Sequence, residues 1–321
     1  MTERHTDHPD ILDLLPRLGD DDAGVRRIAL IELADLEEPE GLPWLTDALL
    51  VDASAEVRAE AARLLEAWEE PEVVQALCAA LADAAEPVRL AAAQSLSELK
   101  SQEAGLLILP WAEHAEAFVR ASALRALREL RLEEAAQPAR LALDDIDAAV
   151  RREAVGILGW LKHEPALPDL AQLAGSEPDT DVRRAAIGAL GLAQDGRVLP
   201  ALVAALQDPA WQVREEAATT LGKVGQAEAG PALVQALDDS YWQVRLRAAR
   251  ALGRLRYRQA LAALAELLGH GIANLRKEAA LALGELGDAQ ALAPLCAAEA
   301  DSDPEVRKAV RIALAQLQGA A

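Results

Sequence analysis

Asp208 to Gly225, DPAWQVREEAATTLGKVG, holds a Val-Arg pair, Val213-Arg214, that returns along the whole chain. Arginine stands at 26, 58, 89, 120, 151, 183, 214, 245, 276 and 307, at steps of 31 or 32 residues. Valine precedes nine of these arginines and Leu275 the tenth. Three residues after the arginine comes alanine in nine copies, Ala29 to Ala279, and seven after it comes leucine in all ten, Leu33 to Leu314. The chain is ten copies of one unit, and a period near 31 residues predicts a solenoid, in which each unit packs only on its neighbours.

Inside the seventh copy, Val198, Leu202, Val203 and Leu206 recur at helical spacing, with Pro200 tolerated in the first turn. Asp208-Pro209 breaks that helix. A second helix starts near Trp211 and carries one apolar stripe of Val213, Ala217, Leu221 and Val224. Gly222 and Gly225 are expected to mark its end and the turn onward. Neither helix can bury its stripe alone, so neighbours must stack. The expected fold is all-α, a right-handed superhelix of about ten two-helix repeats with no strand. A start at residues 1–9 without order precedes a single array over 10–321.

Of the 321 residues, 52% are apolar and only 3% aromatic, a core of Leu, Ala and Val that suits close helix packing. Net charge is −21, which disfavours nucleic acid and anionic membrane. The imbalance is uneven: residues 1–160 hold 33 acids and 15 bases, while 161–321 hold 20 and 17. The first ten residues, MTERHTDHPD, lack the apolar stretch of a secretory signal. The longest uncharged apolar run, Ala104 to Ala112, is too short to span a bilayer. Cys78 and Cys296 occupy one repeat position seven copies apart, so both read as buried, unpaired core thiols in a cytoplasmic, reducing setting.

The stretches DPAWQVREEAATTLGKVG, DDSYWQVRLRAARALGRL and DSDPEVRKAVRIALAQL resemble the HEAT-like repeats of the phycobilisome lyase type. The resemblance covers residues 10–318 and implies the first helix of each pair on a convex side and the second on a concave side. It also implies that an acid five residues before the valine pairs with the arginines in a ladder. That acid is Asp20, Asp52, Asp83, Asp145, Glu177, Asp208, Asp239 or Asp301, with His114 and His270 replacing it in the fourth and ninth units. The ten arginines are then structural. Function is not implied, because the family serves unrelated roles.

No catalytic constellation emerges. Some HEAT-like proteins are di-iron hydroxylases with His-Glu pairs on second helices. The corresponding pairs, Ala59-Glu60, Arg152-Glu153, Glu215-Glu216 and Lys277-Glu278, lack the histidine. Histidines 5, 8, 114, 163 and 270 share no metal spacing. GKVG and GELG close helices and follow no strand, so they are not phosphate loops. No metal or cofactor is expected.

Two surface constellations remain. Trp160 stands with Gly156, Gly159, Gly188, Gly191 and Leu192, where small residues leave a smooth floor beside one aromatic. Between 240 and 280, eight bases face two acids, a local +6. Arg247, Arg250 and Arg254 share a helical face, and Arg258 follows in the turn. On the opposite edge lie Trp211, Tyr241 and Trp242. At its own repeat position Arg247 is flanked by Glu216 and Glu278, Arg254 by Lys223 and Glu285, and Arg250 by Thr219 and Leu281. Arg250 is therefore expected to be free of ladder pairing. The sequence predicts a non-enzymatic scaffold or adaptor that uses the concave face and edges of the solenoid to bind another protein, one with an acidic or anionic segment. A bilin lyase or other cofactor-handling factor, and a DNA-binding repeat protein, are the alternatives.

Overall fold

A computed structural model describes residues 6–192 and 196–319. His5 and the rest of the expected disordered start, residues 1–5, lie outside them. The Thr6 hydroxyl donates to Glu40 at 2.6 Å. Among the described residues there are twenty α-helices, ten short 3-10 turns and no strand. The chain packs as two units, Met1–Leu161 and Lys162–Ala321.

The seventh repeat shows the local signals that start and stop the paired helices. The 3-10 turn Gly196–Val198 leads into a first helix, Leu199–Ala205. Pro200 stands where the missing N–H has no intrahelical acceptor to lose. The Asp208 carboxylate then accepts the Ala210 N–H at 2.8 Å, closing the turn before the second helix, Trp211–Val224. That helix ends on Gly225 at φ 75°, the left-handed residue that releases the chain. Four repeats place a side chain there instead: Glu37, Arg131, Lys162 and Arg256 all have φ between 50° and 55°.

Within Met1–Leu161 the second helices Ala55–Leu64, Glu86–Ser97, Ala117–Leu130 and Ala148–Trp160 stack in chain order. Within Lys162–Ala321 the same is true of Thr180–Leu190, Trp211–Val224, Trp242–Arg254, Ala273–Leu286 and Pro304–Gly319. Their register residues form the core: Val213, Ala217, Leu221, Val244, Ala248 and Leu252 are all fully buried.

Two expectations need correction. Gly222 does not end a helix; it lies one turn inside, where an added Cβ would come within 3.0 Å of the Ala251 Cα. Gly253 and Gly284 meet Ala282 and Ala313 at 2.8 and 2.7 Å in the same way. Glycine one position after the register leucine thus sets the closeness of adjacent second helices. Cys78 is buried, and that burial pushes its thiol up to about 12, but Cys296 is exposed. Cys78 belongs to a ten-residue helix, Pro71–Ala80, covered by first helices on both sides. Cys296 sits on the six-residue Leu292–Ala297, which buries only Leu295.

Candidate functional site

The arginine ladder forms. In six junctions the Nε and Nη2 of one repeat's arginine donate to both oxygens of the next repeat's aspartate. The pairs are Arg26–Asp52, Arg58–Asp83, Arg120–Asp145, Arg183–Asp208, Arg214–Asp239 and Arg276–Asp301. Nη1 of each donates back to the peptide carbonyl of its own repeat's turn, as Arg58 does to Asp52 O at 2.7 Å. The side chains are mostly covered, at 15% and 13% exposure for Arg58 and Asp83, so the fork is held on both sides. Hydrogen bonds from arginine keep Asp83, Asp145 and Asp301 below the ordinary carboxylate range, against a smaller opposing effect of burial.

His114 and His270 keep half of the aspartate's work. Nδ1 of each accepts the N–H two residues on, from Glu116 and Ile272, at 3.1 Å. With Nδ1 accepting, the proton of a neutral ring sits on Nε2. Nε2 of His270 faces Nη1 of Arg245 at 3.3 Å, so donor meets donor. Arg245 has turned its Nε onto the Asp239 carbonyl instead.

The eighth-repeat residues divide into two places. Arg247, Arg250 and Arg254 line a depression of about 130 Å³ with Ala218, Thr219, Gly222, Lys223 and Ala251, between two second helices. Trp211, Tyr241 and Trp242 stand at the N-terminal starts of those helices, beside the ladder. Trp211 stacks on Tyr241 at 5.5 Å, and the Arg214 guanidinium lies 5.6 Å from the Tyr241 ring centre. Trp242 and Arg254 are twelve residues apart, roughly 18 Å along the helix axis. Tyr241 therefore packs on a ladder arginine with Trp211 stacked on it, and none of the three aromatics lines the cationic depression. Arg258 is exposed in the 3-10 turn Arg258–Ala260, beyond the helix end.

Inside the depression the pairing differs from the repeat-position expectation. Arg250 is not free: Nε and Nη2 donate to Glu278 at 2.7 Å each. Arg247 reaches Glu215 at 3.0 Å, not Glu216. Helical side chains tilt toward the N-terminus and arginine is long, so each contact falls N-terminal to the same repeat position, Glu278 about a turn before Leu281 and Glu215 just before Glu216. Lys223 and Arg254 form no hydrogen bond or ion pair among the described residues. Their like charges occupy one repeat position 31 residues apart, the signal in the sequence that marks the unpaired end of the depression. Glu285 has a carboxylate oxygen pressed toward Gly253. Desolvation there, then Glu278, pushes its carboxyl up from the usual value despite Arg254, Arg250 and Arg256.

Trp160 is 48% exposed and carries the Arg131 guanidinium 5.0 Å from its ring centre. The smooth glycine floor is not present. Arg128 lies over Gly156, an oxygen of Glu216 over Gly188, and Thr220 against Gly191, because long neighbours fold into the space glycine leaves. Three of the glutamates that mark the hydroxylase-like pairs are engaged by cations, Glu60 by Arg63, Glu153 by Arg128 and Glu278 by Arg250, and the fourth, Glu216, accepts the Thr220 hydroxyl at 3.4 Å. Among the described residues no three His, Cys, Asp or Glu side chains gather as metal ligands, and no helix is long and apolar enough to cross a membrane.

No curated protein matches the chain. Among solved structures, YibA of E. coli is 22% identical, covers 84% of this chain and 98% of its own, and superposes with a TM-score of 0.62. The karyopherin Kap121p, bound to the extreme C-terminus of the protein phosphatase Cdc14p, is 14% identical with a TM-score of 0.70, over 99% of this chain and 42% of its own. The CpcE–CpcF complex of phycocyanin lyase from Nostoc is 23% identical, over 66% and 94% of the two chains, at 0.45. The model of HEAT repeats matches residues 11–97, 105–191, 172–242 and 230–315. With the ladder, the paired helices and this match in hand, the chain belongs to the HEAT-repeat family, an all-α solenoid.

Proposed function

We propose that this solenoid is a protein-binding scaffold, not a catalyst, and that the second-helix face around repeats seven and eight takes an acidic segment of its partner. The observation that supports it is the depression lined by Lys223, Arg247, Arg250 and Arg254 in a chain of net charge −21. Arg247 and Arg250 are bonded to glutamates, so they shape the walls. Lys223 and Arg254 keep their full donor sets for a ligand. Arginine offers a carboxylate two parallel hydrogen bonds, and in an acidic chain this local excess of positive charge draws an anionic segment. Kap121p, of similar fold, holds a protein C-terminus.

The test is fluorescence anisotropy with a labelled glutamate-rich decapeptide against wild type and the Lys223→Gln/Arg254→Gln double variant. Glutamine avoids placing negative charge at two helix C-termini. The expected loss is roughly tenfold, about 1.4 kcal/mol, with an unchanged helical signal. Trp160→Ala is the comparison. If the double variant binds normally and Trp160→Ala does not, the site lies in the fifth repeat. Short duplex DNA outcompeting the peptide would reverse the partner class.

A further inference from the structure

The junction between repeats three and four carries a ladder arginine whose fork meets no acceptor. Arg89 is anchored like its counterparts: Nη1 donates to Asp83 O at 2.9 Å and Ala84 O at 3.2 Å. Arg58 and Arg120, one repeat to either side, are held on the corresponding carbonyls. Their Nε and Nη2 grip Asp83 and Asp145 at 2.7–2.9 Å. For Arg89 the residue at the aspartate position is His114. Its Nδ1 is taken by the Glu116 N–H, and its ring stacks on Trp111 at 5.7 Å. Nε and Nη2 of Arg89 make no hydrogen bond among the described residues. The Phe118 ring, 5.7 Å from the guanidinium carbon, supports one side.

We propose that Arg89, with the Phe118 ring on one side and His114, stacked on Trp111, at the missing aspartate's repeat position, is a binding site for a carboxylate side chain of a protein partner. Six junctions of this chain show what such a fork holds when an aspartate is offered: both oxygens, in line, from the neighbouring repeat. At Arg89 the donor half of that arrangement is complete, and the acceptor has been replaced. The other histidine junction is different, because Arg245 has rotated onto Asp239 O and presents no fork. Arg89, Trp111, His114 and Phe118 are each half-buried, so a ligand can reach the guanidinium while touching aromatic surface beside it. One ion pair at a half-exposed position is too weak to hold a small free acid. The occupant therefore has to bring apolar contacts with its carboxylate, which an Asp or Glu flanked by large side chains does. Asp83, the nearest acid on the ladder, is spent on Arg58.

The experiment observes the Nε–H resonances of arginine side chains in the ¹⁵N-labelled full chain, with Arg89 assigned by its loss in Arg89→Gln. The probes are acetyl-Phe-Asp-Phe-amide and its Asn counterpart at constant ionic strength. The Asp peptide should shift the Arg89 signal saturably and bind about tenfold tighter than the Asn peptide, as a charge-assisted fork implies. In His114→Asp the new carboxylate takes the fork from within, so the response to peptide should disappear while the thermal midpoint rises. Equal responses to the Asp and Asn peptides would overturn the proposal. So would a His114→Asp protein that responds as wild type does. Lys223→Gln/Arg254→Gln should leave the Arg89 response intact, which separates this site from the one in repeats seven and eight.

Discussion

His114 differs from the aspartates of the intact junctions by one side chain, and the loss is legible atom by atom. The histidine retains the backbone hydrogen bond and gives up the fork. His114→Asp should therefore stabilise the protein by about 0.5–1 kcal/mol in denaturant melts. His270→Asp should gain less, because Arg245 must first leave the Asp239 carbonyl. The aspartate introduced by His114→Asp would have its folded value lowered, as Asp145 has. That gain is present above the unfolded carboxylate value near ~4 and is lost as pH falls through the folded one. Glu285 has the opposite sign. Its raised folded value means that ionisation costs stability, so Glu285→Gln should raise the thermal midpoint at pH 7, with the gain vanishing below about pH 4. Arg250→Gln should destabilise by about 1–3 kcal/mol, since it strands Glu278, a carboxylate only 8% exposed. Sequence spacing alone hides that last effect. Repeat position aligns Arg250 with Thr219 and Leu281, while its actual partner lies one turn away.

Helices in this chain are specified at their ends and along one seam. The register valine, alanine and leucine told which face is buried, and Pro200 and Gly225 told where helices start and stop. The role of glycine after the leucine was not readable, because a glycine near a helix end signals a cap as readily as a close approach. Geometry separates the two. Gly253→Ala gains about 1 kcal/mol of helix propensity but drives a Cβ to 2.8 Å from the Ala282 Cα, and overpacking of ~1–3 kcal/mol wins. Gly188→Ala meets nothing closer than 3.5 Å, from the flexible Glu216, and should stabilise. Thermal melts of the two variants should move in opposite directions. At the left-handed positions, Glu37→Gly and Arg256→Gly should each stabilise by up to about 1 kcal/mol, and Gly287→Ala should destabilise by a similar amount.

Across the chain, stability is close to a sum of repeat and junction contributions. Removing residues 199–229, one full period, should leave a helical, cooperatively folded protein, as circular dichroism and a denaturant melt would show. The cut joins Val198 to Gly230 and brings Arg183 opposite Asp239 in place of Asp208. The period and the ladder partners were legible because they recur. The cationic depression was legible only in part, since it depends on which charges pair across turns. Each intact rung takes its arginine from one repeat and its aspartate from the next, and all six close with the same two hydrogen bonds. A gene encoding this chain can therefore gain or lose a whole repeat by unequal recombination, and the new neighbours would close a rung on first meeting. Where Arg89 meets His114, a duplication of the fourth repeat would copy the open fork as well, doubling a recognition element in one genetic event.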